Sequence, residues 1–354
     1  MPGNDPHFNR GFSFLQMIFR GISALLTSNF LLEFGFSLVG IFIPLYLYQI
    51  TASFGWVFGF YFLFNLAIIV STLPAARLIA YFGSDKISFL GTCLRTSCFL
   101  LLIFSRQQPL LALPAAVLWG LAIPLYWLPF HLTLVGSDHH LAFGRDASRV
   151  AIFSRLGGVV GPMLGGLIIT KLGFIWLYGL AIVFLLVSGL PMFFDRYQFK
   201  IPEITLAELK KNLPFKKMPR LYLAFLGFGF GNQIYDLAWP LYVFLLIGSF
   251  QFLGAITSIG LAASFLLLFA AGRLADQQAF KTLKISLPVN ILNLLSRGFV
   301  VGRLPLFLAD LTYQLVSIFV WIPFDRLSYY TAIQTKKLEF FLSRELALHA
   351  GGAL

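Results

Sequence analysis

Apolar residues in this chain gather into runs of about twenty, and that length leaves few folds open. A hydrocarbon core of roughly 30 Å takes about 20 helical residues to cross. Backbone groups inside it must be satisfied within the segment, so each run reads as a helix rather than an open strand. Ten complete spans are expected, at about 22–49, 53–82, 87–105, 108–136, 148–170, 173–194, 220–248, 251–276, 283–302 and 304–330, with an eleventh starting near 338. Hydrophobic residues make up 58% of the sequence and charged ones only 11%, where a soluble domain is about a quarter charged.

The spans come in two sets. Phe34-Gly35 recurs as Phe230-Gly231, Pro44-Leu45-Tyr46 as Pro240-Leu241-Tyr242, Ser53-Phe54 as Ser249-Phe250 and Arg77-Leu78 as Arg273-Leu274, each at an offset of 196. At an offset of 194, Trp127-Leu128-Pro129-Phe130 matches Trp321-Ile322-Pro323-Phe324, and Gly157-Gly158 matches Gly351-Gly352. A long internal period in an apolar chain marks a duplicated transporter fold rather than a short-repeat solenoid. The organisation expected is a cytoplasmic or interfacial segment 1–21, a six-helix half 22–194, a basic linker 195–219 and a second half 220–354.

Lys and Arg in short loops set orientation. With the amino terminus in the cytoplasm, 21 of the 26 basic residues fall on that side, while Arg106, Lys171 and Arg303 lie outside and Arg95 and Arg297 fall within spans. The net charge of +12 is thus a topology signal, and no basic soluble face exists to bind nucleic acid. Met1 to Arg10 is polar and shows no cleavable signal pattern. In the linker, Thr205 and Glu208 have capping-box spacing. Cys93 and Cys98 share one helix and read as free thiols.

Two six-helix units joined by a basic linker resemble the major facilitator superfamily, and two local motifs add to the likeness. Gly272-Arg273-Leu274-Ala275-Asp276 is close to that family's loop between helices 8 and 9, while the equivalent first-half loop, with Arg77, Leu78 and Gly83, has Ala80 in the acid's place. Such a loop sets an acid and a base at a helix end, where charge pairing can lock the cytoplasmic side; with Ala80, a first-half lock must be weaker. Helix 5 carries Gly157, Gly161, Pro162, Gly165 and Gly166, a spacing that lets backbones approach closely and that also resembles the family's drug antiporters. The resemblance implies an all-α polytopic fold of two parallel six-helix repeats. The offset carries the second repeat to about residue 390, so the chain is expected to stop within helix 11. The glycine surface starting at Gly351 is then expected to lack partners.

Ionisable residues inside a membrane need a reason. In helix 1, Asn29, Glu33 and Ser37 are spaced by four and make one polar stripe; in helix 7, Asn232 and Asp236 do the same with Gln233 beside them. In helix 10, Asp310, Gln314, Ser317 and Trp321 share a face, and Asp310, about 9 Å from the outer end of its helix, suits a gate or a snorkelling role. Helix 4 adds Tyr126 and Trp127, with Trp119, as an aromatic surface for an amphipathic ligand. In the family, helices 1, 4, 7 and 10 line the central cavity. Glu33 and Asp236 therefore read either as proton carriers and cation contacts or as partners of Arg95 and Arg297 in structural pairs. His131 and its repeat mate Asp325 read as hinge or capping residues. Asp138-His139-His140 has no further ligand at recognised spacing, so no metal or other cofactor is expected.

The chain has no Gly-x-Ser-x-Gly elbow, no His-Glu-x-x-His and no phosphate loop, so no enzyme and no ATP-driven pump is expected. The resemblance implies a secondary transporter of the cytoplasmic membrane, monomeric when complete, that moves a small organic solute by alternating access, with proton-coupled efflux as one form. The alternative is a truncated, non-transporting membrane scaffold or relic.

Overall fold

The structure, a computed structural model, describes residues 22–136, 143–191, 205, 207, 208, 211 and 213–354, and no strand occurs among them. Helix α1 (Ile22–Val39) passes through a 3-10 turn at Gly40–Phe42 into α2 (Ile43–Thr51). Then follow α3 (Phe54–Phe82), α4 (Ser84–Phe104), α5 (Ala112–Gly136), α6 (Phe143–Leu172) and α7 (Phe174–Gly189). Beyond the linker come α8 (Pro219–Gln233), a π turn at Ile234–Ala238, α9 (Trp239–Ile247), α10 (Phe250–Ser296), α11 (Arg303–Gln334) and α12 (Lys337–Ala353). Seven described stretches are long and apolar enough to cross a membrane, and α7 is apolar but shorter.

Two prolines explain the two broken helices. Pro44 and Pro240 have no N–H for the carbonyls of Gly40 and Asp236, four residues back, so regular winding fails there. In the first stretch the Ile43 N–H tightens onto Gly40 O; in the second the Trp239 N–H reaches back to Ile234 O, giving the π turn. Both stretches end alike: Ala52 (φ +50°) and Gly248 (φ +68°) take the left-handed conformation, and the next residues, Ser53 and Ser249, are extended helix caps.

One expected loop is reduced to a kink. The spans placed at 251–276 and 283–302 are two helices that meet at Gln278 (φ −149°, ψ 47°), where the backbone leaves helical geometry, and both are included in α10. The connecting residues Gln277 to Thr282 contain neither Gly nor Pro, so the second helix starts directly after the kink. In the first half the equivalent break is made by Gly83, at φ +92°. The Thr205–Glu208 box does form: Thr205 N–H and hydroxyl donate to Glu208 Oε2 at 3.0 and 2.8 Å, holding that exposed carboxyl below its usual range. The remainder of the linker lies largely outside the described residues, as do 1–21 and Asp138-His139-His140.

Residues 22–191 meet residues 213–354 chiefly where α6 packs on α10 and where α3 packs on α12. Glycines make both contacts possible. A Cβ on Gly157 would lie 2.8 Å from Phe30 O, on Gly161 1.8 Å from Ser37 Oγ, and on Gly165 2.2 Å from Leu38 O, so this edge of α6 is in backbone contact with α1. Gly166 faces Phe250 O, and Gly254 of α10 faces Pro162 O in return. The Gly351 surface has partners after all. Gly351 lies against Leu226 O of α8, Gly229 lies against Leu348 O, and Gly352 lies against the Asn65 amide.

Candidate functional site

The polar residues of α1 divide between packing and the interior. Ser37 donates to Phe34 O at 2.8 Å and to Gly157 O at 3.2 Å, so it is a helix-packing residue. Asn29 is fully buried. Glu33 is half-buried and interacts electrostatically with Arg95 of α4 and Arg155 of α6. Arg95 is buried, its guanidinium 6.0 Å from the Tyr126 ring centre, and the Tyr126 and Ser28 hydroxyls are 3.2 Å apart. This cluster therefore links α1, α4, α5 and α6. The aromatic face expected on α5 is largely closed: Trp119 packs among Phe36, Phe60, Tyr61 and Phe64, and Trp127 stacks on His131.

A second cluster sits at the broken helix. Asp236, in the π turn, is exposed and interacts electrostatically with Tyr61, Tyr235 and Tyr313. Asn232 is half-buried one turn before it. Asp310 neither snorkels nor reaches the surface. It is wholly buried, accepts from Trp239 Nε1 at 2.8 Å, and lies 3.6 Å from Arg297. Three rings face the Arg297 guanidinium, Trp239 at 3.9 Å, Tyr313 at 4.3 Å and Tyr235 at 5.4 Å, a cation–π arrangement in a dry site. Gln314 donates to the Tyr235 hydroxyl. Arg297 thus has Asp310 as its ionic partner, and Arg95 has Glu33 within electrostatic reach.

At the Gly83 end the expected lock is differently wired. Asp276 pairs with Arg326 of α11 at 3.2 Å, while Arg273 and Arg77 are exposed. Arg326 also donates to Ala275 O.

Sequence reasoning missed two arginines and a chain of bonds. Arg155 and Arg344, counted with the loop charges, lie inside the bundle. Arg155 interacts with Glu33 in one half and with Tyr235, Tyr313 and Asp325 in the other. Arg344 is buried on α12, 3.0 Å from Asp325 Oδ1, 3.9 Å from Glu345 and 3.3 Å from His131 Nε2. His131 Nδ1 is 2.7 Å from the Tyr329 hydroxyl. Glu345 lies 3.6 Å from His349, whose Nδ1 is 2.9 Å from Asn65 Oδ1, and Asn65 donates to Gln233 at 3.2 Å. His131 and Asp325 are therefore members of a network centred on the buried Arg344 rather than caps. The missed signal was the presence of Arg344, Glu345 and His349 together on an apolar segment.

Apolar helices bundled around buried charges and a broken helix are the architecture of a multi-pass membrane transporter rather than of an enzyme. The model of the Major Facilitator Superfamily matches residues 25–329, and the chain belongs to that superfamily of transporters. The crystal structure of the human organic anion transporter MFSD10 (TETRAN) shares the fold, with a TM-score of 0.68 over 94% of this chain and 92% of that one at 13% identity. No curated protein matches.

Proposed function

We propose that the chain is a secondary transporter that moves a small organic solute across the cytoplasmic membrane by alternating access of its two halves, its amino terminus facing the cytoplasm. The observation that carries this reading is the pair of broken helices. The breaks at Gly40–Phe42 and Ile234–Ala238 stand at matching places in the 196-residue period, and interrupted helices at corresponding positions of two repeats are the best pointer to a transport site. Glu33 lies on the first of these helices and Asp236 in the second break. The reading assigns them proton and cation contacts, with Asn29, Asn232, Gln233, Tyr126, Trp127 and Gln314 around the solute path.

Charge accounting supports coupling at Glu33. It faces Arg95 and Arg155 across α4 and α6, so adding or removing its proton changes the balance where those helices meet. The organic anions named for MFSD10 belong to that protein; at 13% identity the likeness is one of fold, and the solute here is kept at the level of a small organic molecule. The test is flux in proteoliposomes under an imposed proton gradient, screened with labelled organic anions, cations and zwitterions. Gradient-driven accumulation of one class supports the reading, and none in any class sinks it.

A further inference from the structure

His349 stands where α12 crosses α3, and both of its ring nitrogens face acceptors. Nδ1 lies 2.9 Å from Asn65 Oδ1. That amide is fixed in orientation, because the two hydrogens of its Nδ2 are shared among three oxygens, Tyr61 O at 2.8 Å, Gln233 Oε1 at 3.2 Å and Gly352 O at 3.2 Å. Nδ1 therefore carries a hydrogen. On the other side Nε2 lies 3.6 Å from Glu345 Oε2. A neutral imidazole has one N–H and an ionised carboxylate only accepts. Neutral His349 beside ionised Glu345 would set lone pair against lone pair. The contacts close when the pair holds one further proton.

The charged groups around the pair come from α6, α11 and α12. Arg344 sits between two carboxylates, Asp325 at 3.0 Å and Glu345 at 3.9 Å, and Arg155 also interacts with Asp325, so Glu345 is the carboxylate left facing His349. His131 of α5 faces Arg344 with Nε2 at 3.3 Å. Arg344 has no lone pair to offer, so this nitrogen accepts and His131 is neutral. Three tyrosines on helices packed against α12 also lie near these groups: Tyr329 of α11, Tyr222 of α8 and Tyr61 of α3. Tyr329 lies 2.7 Å from His131, and Tyr222 lies 2.7 Å from Ser343.

We propose that His349 and Glu345 form a proton-binding site that, when occupied, fastens α12 of the second half to α3 of the first. Calling that proton a coupling ion rests on the transporter reading; the site itself does not. One proton arrives from water and later leaves to water, and no covalent bond between heavy atoms changes. Losing it turns one ring nitrogen into a lone pair, so either the Asn65 or the Glu345 contact must break. Asn65 also holds Gln233, at the start of the broken stretch between α8 and α9, so the state of the pair reaches the candidate solute site through two hydrogen bonds. The sign is set by this chemistry: the fastening is present on the acid side of the pair's titration and lost as pH rises through it.

The test uses the full chain in lipid, without solute. Solid-state NMR of protein carrying ¹⁵N-histidine reads the two ring nitrogens directly, with His349→Gln removing the signal to be assigned among the 5 histidines. With the site occupied, His349 should show two protonated nitrogens, and in Glu345→Gln under the same conditions only one. Spin labels at Lys86 and Tyr330, in a background with Cys93→Ala and Cys98→Ala, report the separation of the halves. The ratio of long to short distances should rise at least about tenfold across the titration, the change that one pK unit of differential interaction implies, and should not respond to pH in His349→Gln. A ring that shows two protonated nitrogens at no pH at which the protein stays folded, a doubly protonated ring surviving unchanged in Glu345→Gln, or distances in His349→Gln that follow pH as in wild type would each overturn the proposal. If both readouts hold and no solute is moved, the transporter reading fails and the proton site stands.

Discussion

The Trp239 indole donates to a carboxylate oxygen of Asp310 at 2.8 Å, and both residues are buried. The same Trp239 ring covers Arg297 at 3.9 Å, and Arg297 lies 3.6 Å from that oxygen of Asp310. One aromatic side chain therefore serves both members of a desolvated ion pair. Removing one partner of such a pair leaves an uncompensated charge, whereas removing the hydrogen bond alone does not. Asp310→Asn should destabilise the protein by about 3–5 kcal/mol, and Trp239→Phe by about 1–3 kcal/mol. Unfolding equilibria in mixed micelles check the ranking; equal losses would show that the carboxylate charge is not what holds Arg297.

The glycine edge of α6 gives a sharper contrast. A Cβ at Gly161 would lie 1.8 Å from Ser37 Oγ, while one at Gly158 meets nothing within 4 Å. Gly161→Ala should cost about 1–3 kcal/mol, with part of it recovered in the double variant with Ser37→Gly. Gly158→Ala should be neutral or stabilising by up to about 1 kcal/mol. The same unfolding measurement decides it, and a tolerant Gly161 would mean that α1 and α6 do not pack backbone to backbone.

The Asp276–Arg326 pair should matter little to stability. Both side chains are well exposed, at 62% and 42%, and exposed pairs are worth about 0.2–1 kcal/mol. Asp276→Asn should lower stability by less than about 1 kcal/mol, an effect that shrinks further in high salt. A loss comparable to that of Asp310→Asn would assign Asp276 a larger structural part.

What could be read from the sequence was what depends on near neighbours along the chain. The helices follow from apolar runs, the α1–α6 seam from glycines four residues apart, and the two helix breaks from Pro44 and Pro240, although the prolines were read only as repeat marks. The two spans within α10 read as separate helices, and they do meet at a kink, but the link is shorter than expected because the polar residues between them are good helix formers. The Asp325–Arg344–His131 and Glu345–His349–Asn65 contacts bring together residues from four helices, and no spacing along one helix announces them. Arg155 was hidden for the same reason. A basic residue near the end of a span counts as a loop charge until the fold shows what it faces.

Orientation has its own test. Reporters fused after residues 84, 205 and 335 should read cytoplasmic, and one after 106 external. With Arg155 and Arg344 moved to the interior, the proposed orientation still puts most of the remaining basic residues on the cytoplasmic side. An external signal at 205 or a cytoplasmic one at 106 would reverse the assignment.

The central claim is that this protein couples solute movement to a proton gradient through Glu33. Its most direct test compares two transport modes of Glu33→Gln in proteoliposomes, using whichever labelled solute the wild type accumulates. Counterflow exchange, which needs only a working solute site, should persist near the wild-type rate, while gradient-driven accumulation should be lost. Uphill accumulation by Glu33→Gln at the wild-type rate would contradict the account and make Glu33 a structural partner of Arg95 and Arg155.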